Sequence, residues 1–250
     1  MPSSEFIGII PAAGGGTRLG LPYPKELHSV EPGVLYVDYS LMQLREAGIK
    51  EAFVVTTSAK LGDLAKALMY ERHGVKLHYV EVQPTDSKSL VGSVLRGCRR
   101  AEYRLEYEKF VVVLPDSKFG DHQAVKKLVE HGHEPSFLAF DCPDPSQFDS
   151  IYVQYDEVKR VLVKKPVDES LGVRAGCWGA LTLDQDAVKR LKKLVRTTPA
   201  HEAGDPHLLG ELIDADIASG GKWSWVHVFG GYVDLGEWDR VQKYVRDLNG

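Results

Sequence analysis

Apolar and polar positions alternate with two periods along this chain, and the switching between them predicts the order of elements. A short apolar run, Phe6-Ile7-Gly8-Ile9-Ile10, reads as a buried strand. Leu35 to Gly48 carries apolar residues at helical spacing and ends on glycine. Ala52 to Thr56 is the next strand, Lys60 to Arg72 a second helix, Val75 to Val82 an alternating strand and Ser87 to Glu102 a third helix. Phe110-Val111-Val112-Val113-Leu114 is the most continuous apolar strand, and it runs into Pro115-Asp116. A helix over Asp121 to His131 and a strand over Ser136 to Phe140 follow.

From Phe148 the rhythm changes. Residues 151–155 and 158–163 alternate around Asp156-Glu157 as a hairpin. Gly176 to Leu183 is a strand, Asp184 to Val195 a helix, Leu208 to Ser219 a helix, Trp223 to Phe229 a strand and Leu235 to Leu248 a closing helix. Strands alternating with helices predict an α/β fold with one doubly wound, mostly parallel sheet, Rossmann-like, whose ligand site lies beyond the carboxyl ends of the strands. Gly14, Gln83 and Asp116 all fall at such ends. With no repeat and no linker, residues 1–250 read as one domain. The rhythm divides it near residue 145: residues 1–145 alternate strand and helix, and 146–250 add a small β lobe.

Composition narrows the function. A chain of 250 residues with 43% hydrophobic content can bury a sizeable core. A formal net charge of −4 and a pI near 6.1 speak against nucleic acid or a membrane surface as partner. No basic leader precedes the first strand, and no apolar run reaches the roughly 20 residues that span a bilayer, so a cytoplasmic location is expected. Cys98, Cys142 and Cys177 are odd in number and sit among small or apolar residues, which suits buried thiols. His122, His131, His133, His201 and His207 lack a third ligand at metal spacing and read as solvated side chains.

The chemistry gathers after the first strand, in Pro11-Ala12-Ala13-Gly14-Gly15-Gly16-Thr17-Arg18-Leu19-Gly20, with Pro24-Lys25 close behind. Glycines let backbone amides approach an anion and form a donor nest, and Arg18 and Lys25 add positive charge beside it. Neither the Walker A spacing nor the G-x-G-x-x-G pattern is present. Asp116, at the end of a very apolar strand, is costly unless it caps a turn, pairs or holds a cation.

These residues resemble the sugar-1-phosphate nucleotidyltransferases, such as glucose-1-phosphate thymidylyltransferase and its uridylyltransferase relatives, which are nucleotidyltransferases of the GT-A type. The resemblance implies that Ala12, Ala13, Gly14, Gly15, Gly16, Thr17 and Arg18 hold a nucleoside triphosphate, and that Arg18 and Lys25 neutralise it. It implies that Gln83 reads the base, and that Asp116 holds Mg2+ together with Asp234 of Gly230-Gly231-Tyr232-Val233-Asp234. Where the family has a glycine beside the base, this chain aligns Ser89. Val163-Lys164-Lys165-Pro166 resembles the family's Glu-Lys-Pro, with Lys165 as the catalytic lysine on the acceptor phosphate. Lys164, Gly176 and Glu211 would also face the acceptor, which would make residues 1–145 the nucleotide-binding half and residues 146–250 the acceptor-binding half with its small β lobe. Lys164 stands in place of a glutamate, a cation where the family has an acceptor-only side chain. The same basic stretch also reads as a solvated hairpin.

The implied reaction transfers a nucleotidyl group, from dTTP or UTP in the favoured reading, to a sugar 1-phosphate, giving an NDP-sugar and pyrophosphate. Two alternatives stay open: a cytidylyltransferase acting on a non-sugar phosphate, and a catalytically silent nucleotide-binding relative. A homo-oligomer is compatible with either.

Overall fold

A computed structural model describes residues 5–82, 89–141, 145–198 and 208–249. In chain order the first half contains β1 (Phe6–Pro11), β2 (Ser29–Glu31), β3 (Val34–Leu35), α1 (Tyr36–Glu46), β4 (Glu51–Thr56), α2 (Ser58–Leu68), β5 (Glu71–Arg72), β6 (Val75–Glu81), α3 (Leu90–Leu105), β7 (Lys109–Val113), β8 (Ser117–Phe119), α4 (Ala124–Glu130) and β9 (Ser136–Phe140). The second half contains β10 (Ser150–Gln154), β11 (Glu157–Leu162), β12 (Val173–Asp184), α5 (Gln185–Thr197), α6 (Leu209–Ala218), β13 (Ser224–Val228), β14 (Tyr232–Asp234) and α7 (Trp238–Asn249).

The α/β architecture is the one the periodicity predicts. Strands β7, β1, β4 and β6 lie side by side and parallel, and β12 joins β7 antiparallel to carry the sheet into the second half of the chain. Both faces are covered because strand side chains alternate between them. Ile7 and Ile9, Phe53 and Val55, and Phe110 and Val112 enter one core with α3, α5 and α6. Phe6 and Ile10, Ala52 and Val54, and Val111 and Val113 enter another with α1, α2 and α4. Where β1 would crowd α1 it carries Gly8, whose added Cβ would sit 2.6 Å from Leu44 Cδ1.

Strand β12 makes the site possible. One of its edges pairs with β7 over Ala180–Asp184 and then, past Gly179, with β10 from Cys177 back to Val173. The end of β7 and the start of β10 therefore face each other across a gap. Its other edge pairs with β9, which pairs in turn with β13.

Several expected bounds shift. The second helix stops at Leu68 rather than Arg72, because Met69 turns to φ +59° and Glu71–Arg72 pair with β6. The fourth begins at Ala124, since Asp121 spends its carboxylate on the Gln123 amide at 2.8 Å. The last begins at Trp238, because Tyr232–Asp234 pair with Ser117–Phe119 as a small separate ladder. The short strands β2, β3, β8 and β14 carry too few residues to show a period. Gln83, Cys142, His201 and His207 lie outside the described residues. Among the described residues no helix is long and apolar enough to cross a membrane.

Candidate active site

A cavity of about 390 Å3 opens at the carboxyl ends of β1 and β7. Gly14, Arg18 and Lys25 form one wall, Asp116 and Asp234 its floor, and Gln147, Phe148, Asp149, Lys164, Trp178 and Leu209 the far side. Ser89 and Ser93, from the N-terminal end of α3, complete it.

The glycine loop leaves β1 with Ala12 and Ala13 buried under it and Gly14 and Gly15 exposed. Gly16 turns at φ +63°, where an L side chain is strained, and a Cβ there would lie 3.4 Å from Lys25 Cβ. A buried ion pair that the sequence does not advertise clamps this loop. Lys60 Nζ bonds Glu26 Oε1 at 2.9 Å and Oε2 at 3.0 Å, and also the carbonyls of Ala12 at 3.0 Å and Gly14 at 2.5 Å. With those carbonyls turned toward Lys60, the loop's backbone is held from below and its outer face is left to solvent. Glu26 is 1% exposed, and burial raises its carboxyl against the opposing charge of Lys60.

Lys25 makes an ion pair with Asp116, and both side chains are largely buried. Burial by itself would lower the Lys25 ammonium; Asp116, with help from Glu26 and Asp234, more than offsets this and holds it above its usual value. Lys25 is therefore a fixed positive charge at neutral pH. Asp234 accepts from the Gly236 amide at 2.8 Å and pairs with Arg240. Burial, then the charge of Asp116, raise its carboxyl. A Cβ on Gly236 would stand 2.8 Å from Asp234 Oδ1 and 3.0 Å from Asp116 Oδ2, so both carboxylates border one small volume that only glycine leaves free. Their backbones are tied as well: Ser117 is opposite Asp234 in the β8–β14 ladder, and Leu235 N donates to Asp116 O at 2.9 Å.

Of the residues singled out in the sequence, Gly14, Arg18, Lys25, Asp116, Lys164 and Asp234 line the cavity together. Arg18 is exposed and paired with Glu237. Gly15, Gly16 and Thr17 belong to the same loop without lining the cavity. Lys164, at φ +45°, and Lys165 are both exposed, and of the two only Lys164 lines the cavity. Gly176 is buried within β12 at φ +132°, where a Cβ would meet Phe140 O at 2.5 Å, and it does not line the cavity. Glu211 sits in the first turn of α6 and does not line the cavity.

Sequence reading missed Lys60, Glu26, Arg240, Glu237 and Asp149. Glu26 sits inside the Pro-Lys-Glu-Leu segment, but nothing in the local pattern links it to Lys60, 34 positions on.

Two oxygen-donor carboxylates facing one space suit a hard divalent cation that keeps waters and substrate phosphates as its other ligands. Among the described residues no group of three or more His, Cys, Asp or Glu forms a self-contained metal cage.

The sequence model of the MobA-like NTP transferase domain matches residues 8–201. No curated protein sequence matches the chain. Among solved structures, a protein described as a glucose-1-phosphate thymidylyltransferase from Bacillus anthracis, in complex with sucrose, has a TM-score of 0.77 at 18% identity, covering 97% of this chain and 94% of that one. The UTP-bound UGPase from Acinetobacter baumannii has a TM-score of 0.73 at 20% identity, covering 97% and 92%. The inositol-1-phosphate CTP transferase from T. maritima has a TM-score of 0.75 at 16% identity, covering 98% and 94%. These likenesses establish the fold.

Proposed function

The chain belongs to the family of MobA-like NTP transferase domains, and from that premise we propose that it is a Mg2+-dependent nucleotidyltransferase joining an NTP, dTTP or UTP in the first instance, to a sugar 1-phosphate. One observation carries this reading. Gly14, Arg18, Lys25, Asp116, Asp234 and Lys164 border a single cavity, although they come from opposite ends of the chain.

The reaction needs no covalent enzyme intermediate. An acceptor phosphate oxygen attacks the α-phosphorus in line, and pyrophosphate leaves with the electrons of the broken P–O bond. The loop amides from Gly14 to Thr17 cradle the triphosphate. Arg18, exposed and free to turn from Glu237, and Lys25, held charged by Asp116, neutralise it. Asp116 and Asp234 would hold the Mg2+, whose chemistry is charge neutralisation at the transferring phosphate. Lys164 extends the positive charge to the far side of the cavity, where the attacking phosphate must sit; Lys165, the lysine that the resemblance puts on that phosphate, is next in the chain and exposed. Holding both phosphates in line accounts for much of the acceleration.

A second reading has its own support. Two cavity-lining residues, Lys164 where the sugar-1-phosphate enzymes have the glutamate of Glu-Lys-Pro and Ser89 where they have a glycine beside the base, fit transfer of a cytidylyl group to a cyclitol or other non-sugar phosphate. A screen of the common NTPs against glucose 1-phosphate, other sugar 1-phosphates, alditol phosphates and myo-inositol 1-phosphate, read by pyrophosphate release, tests both. Turnover with dTTP or UTP on a sugar 1-phosphate is the expected outcome. Turnover confined to CTP and a non-sugar phosphate selects the second reading. Tight NTP binding without turnover on any acceptor overturns both.

A further inference from the structure

The start of α7 carries a row of alternating charges that leads from the glycine loop to the space between the two aspartates. Arg18 Nη1 pairs with Glu237 Oε1, Glu237 Oε2 stands 3.5 Å from Arg240 Nη2, and Arg240 Nη1 pairs with Asp234 Oδ2. The other oxygen of Asp234, Oδ1, accepts from the Gly236 amide and borders the space shared with Asp116 Oδ2. Lys25 on Asp116 and Arg240 on Asp234 between them cancel the charge of both carboxylates. A divalent cation entering that space meets no net negative charge until one of the two moves. Arg240 has a place to move to. Its guanidinium lies over the Phe148 ring, 4.8 Å from the centroid, and Glu237 is a half-made second partner beside it.

Glu237 holds Arg240 only loosely because it is already spent on Arg18. That outer pair is the weaker one. The Arg18 side chain is 61% exposed, whereas those of Arg240 and Asp234 are 21% and 20% exposed. An exposed ion pair is worth little, so a triphosphate in the cavity that Arg18 lines takes Arg18 at small cost. Glu237 then turns to Arg240. We propose that Glu237 and Arg240 are positioning residues that exchange counter-ions: arrival of the triphosphate hands Arg240 from Asp234 to Glu237, and Asp234 is released to the cation. Nucleotide and metal binding are thereby coupled through the protein as well as through their direct contact. By linkage, a cation on Asp234 also loosens Arg18 for the nucleotide. The inference rests on the nucleotidyltransferase reading and adds to it the rearrangement of charge that readies its cation site.

The test measures binding of Mn2+ alone, without nucleotide, to the full-length protein by electron paramagnetic resonance. Arg18→Gln imitates the departure of Arg18 and is expected to tighten Mn2+ binding about threefold. Each variant is checked for native circular dichroism. The gain should shrink to less than about 1.5-fold when Glu237→Gln or Arg240→Gln is also present, because the exchange needs both residues. A gain of the same factor in every background means through-space repulsion alone and overturns the proposal, as does an Arg18→Gln variant with unchanged affinity. Should Arg240→Gln fail to fold, the Arg18 and Glu237 variants complete the comparison by themselves. In turnover, Glu237→Gln leaves Arg240 on Asp234, so the Mg2+ concentration for half-maximal pyrophosphate release should rise about threefold. Turnover that needs no divalent cation, or failure of every form to bind Mn2+, instead overturns the functional reading beneath it.

Discussion

The Asp116 carboxylate touches the Lys25 ammonium and shares the space over Gly236 with Asp234, so changes at either partner reach both charge systems. Asp116→Asn keeps the shape, leaves Asp234 near Lys25 and removes one of the two carboxylates proposed to hold the cation. Its kcat is expected to fall by at least about a hundredfold, and that of Lys25→Ala similarly, with the fold retained. Near-normal turnover of either purified variant removes that residue from the chemistry. Asp149 gives a prediction of opposite sign in stability. Burial pushes its carboxyl up to about 6, opposed by Lys164 and the Trp178 indole and helped by Glu211. An acid whose value is raised on folding binds more protons folded than unfolded between its two values, so stability falls as pH climbs from 3.8 to about 6 and stays reduced above. Asp149→Asn removes that penalty. It should stabilise the protein by about 1–3 kcal/mol at neutral pH, and by much less below pH 4, in urea titrations. A pH-independent effect would mean that the carboxyl is not raised.

At the scale of elements, the short β8–β14 ladder decides where the two aspartates meet. Its strands come so close that a Cβ on Gly120 would stand 1.7 Å from Gly230 O. Gly120→Ala must push the Gly230-Gly231 turn away, and β14 with Asp234 moves with it. The expected result is a folded protein whose kcat drops at least about tenfold and whose half-maximal Mg2+ concentration rises, measured by pyrophosphate release. Gly62, in α2 with open space around its Cα, supplies the contrast: Gly62→Ala should leave kcat unchanged and stabilise by about 0.5–1 kcal/mol. Equal behaviour of the two variants would refute the positional argument. Long elements such as β7 and α3 were legible from their period, but the ladder was not, because three-residue strands carry no period to read.

Across the whole molecule, residues 1–145 and residues 146–250 share one sheet and one core. β12 pairs with β7 from Lys109 to Val113, and Phe110 and Val112 pack in the same cluster as Leu181 and Leu183. α7 closes over the first half: Trp238 Nε1 donates to Leu19 O at 2.9 Å, and Leu235 and Val241 pack with Leu19, Tyr36 and Tyr39. Neither half can be removed without exposing the other's core, so unfolding should be one cooperative transition. All four tryptophans, Trp178, Trp223, Trp225 and Trp238, belong to the second half. Their fluorescence and far-UV circular dichroism, which reports both halves, should therefore give superimposable urea curves. Two separated midpoints would divide the chain into two domains.

The sequence by itself determined the α/β class, the glycine loop with Arg18 and Lys25, and the two candidate aspartates, Asp116 just past β7 and Asp234 at the end of β14, because period, turn chemistry and short motifs are local properties of the chain. Tertiary structure alone decided that Lys164 lines the cavity and Lys165 does not, since a left-handed turn at residue 164 sets where each side chain goes. It also decided that Lys60 and Glu26 clamp the loop and that Asp149 meets Trp178. Those contacts join residues tens of positions apart: the clamp exists because Lys60 of α2 reaches both Glu26 and the carbonyls of the glycine loop, and Asp149 meets Trp178 because β12 passes from β7 to β10.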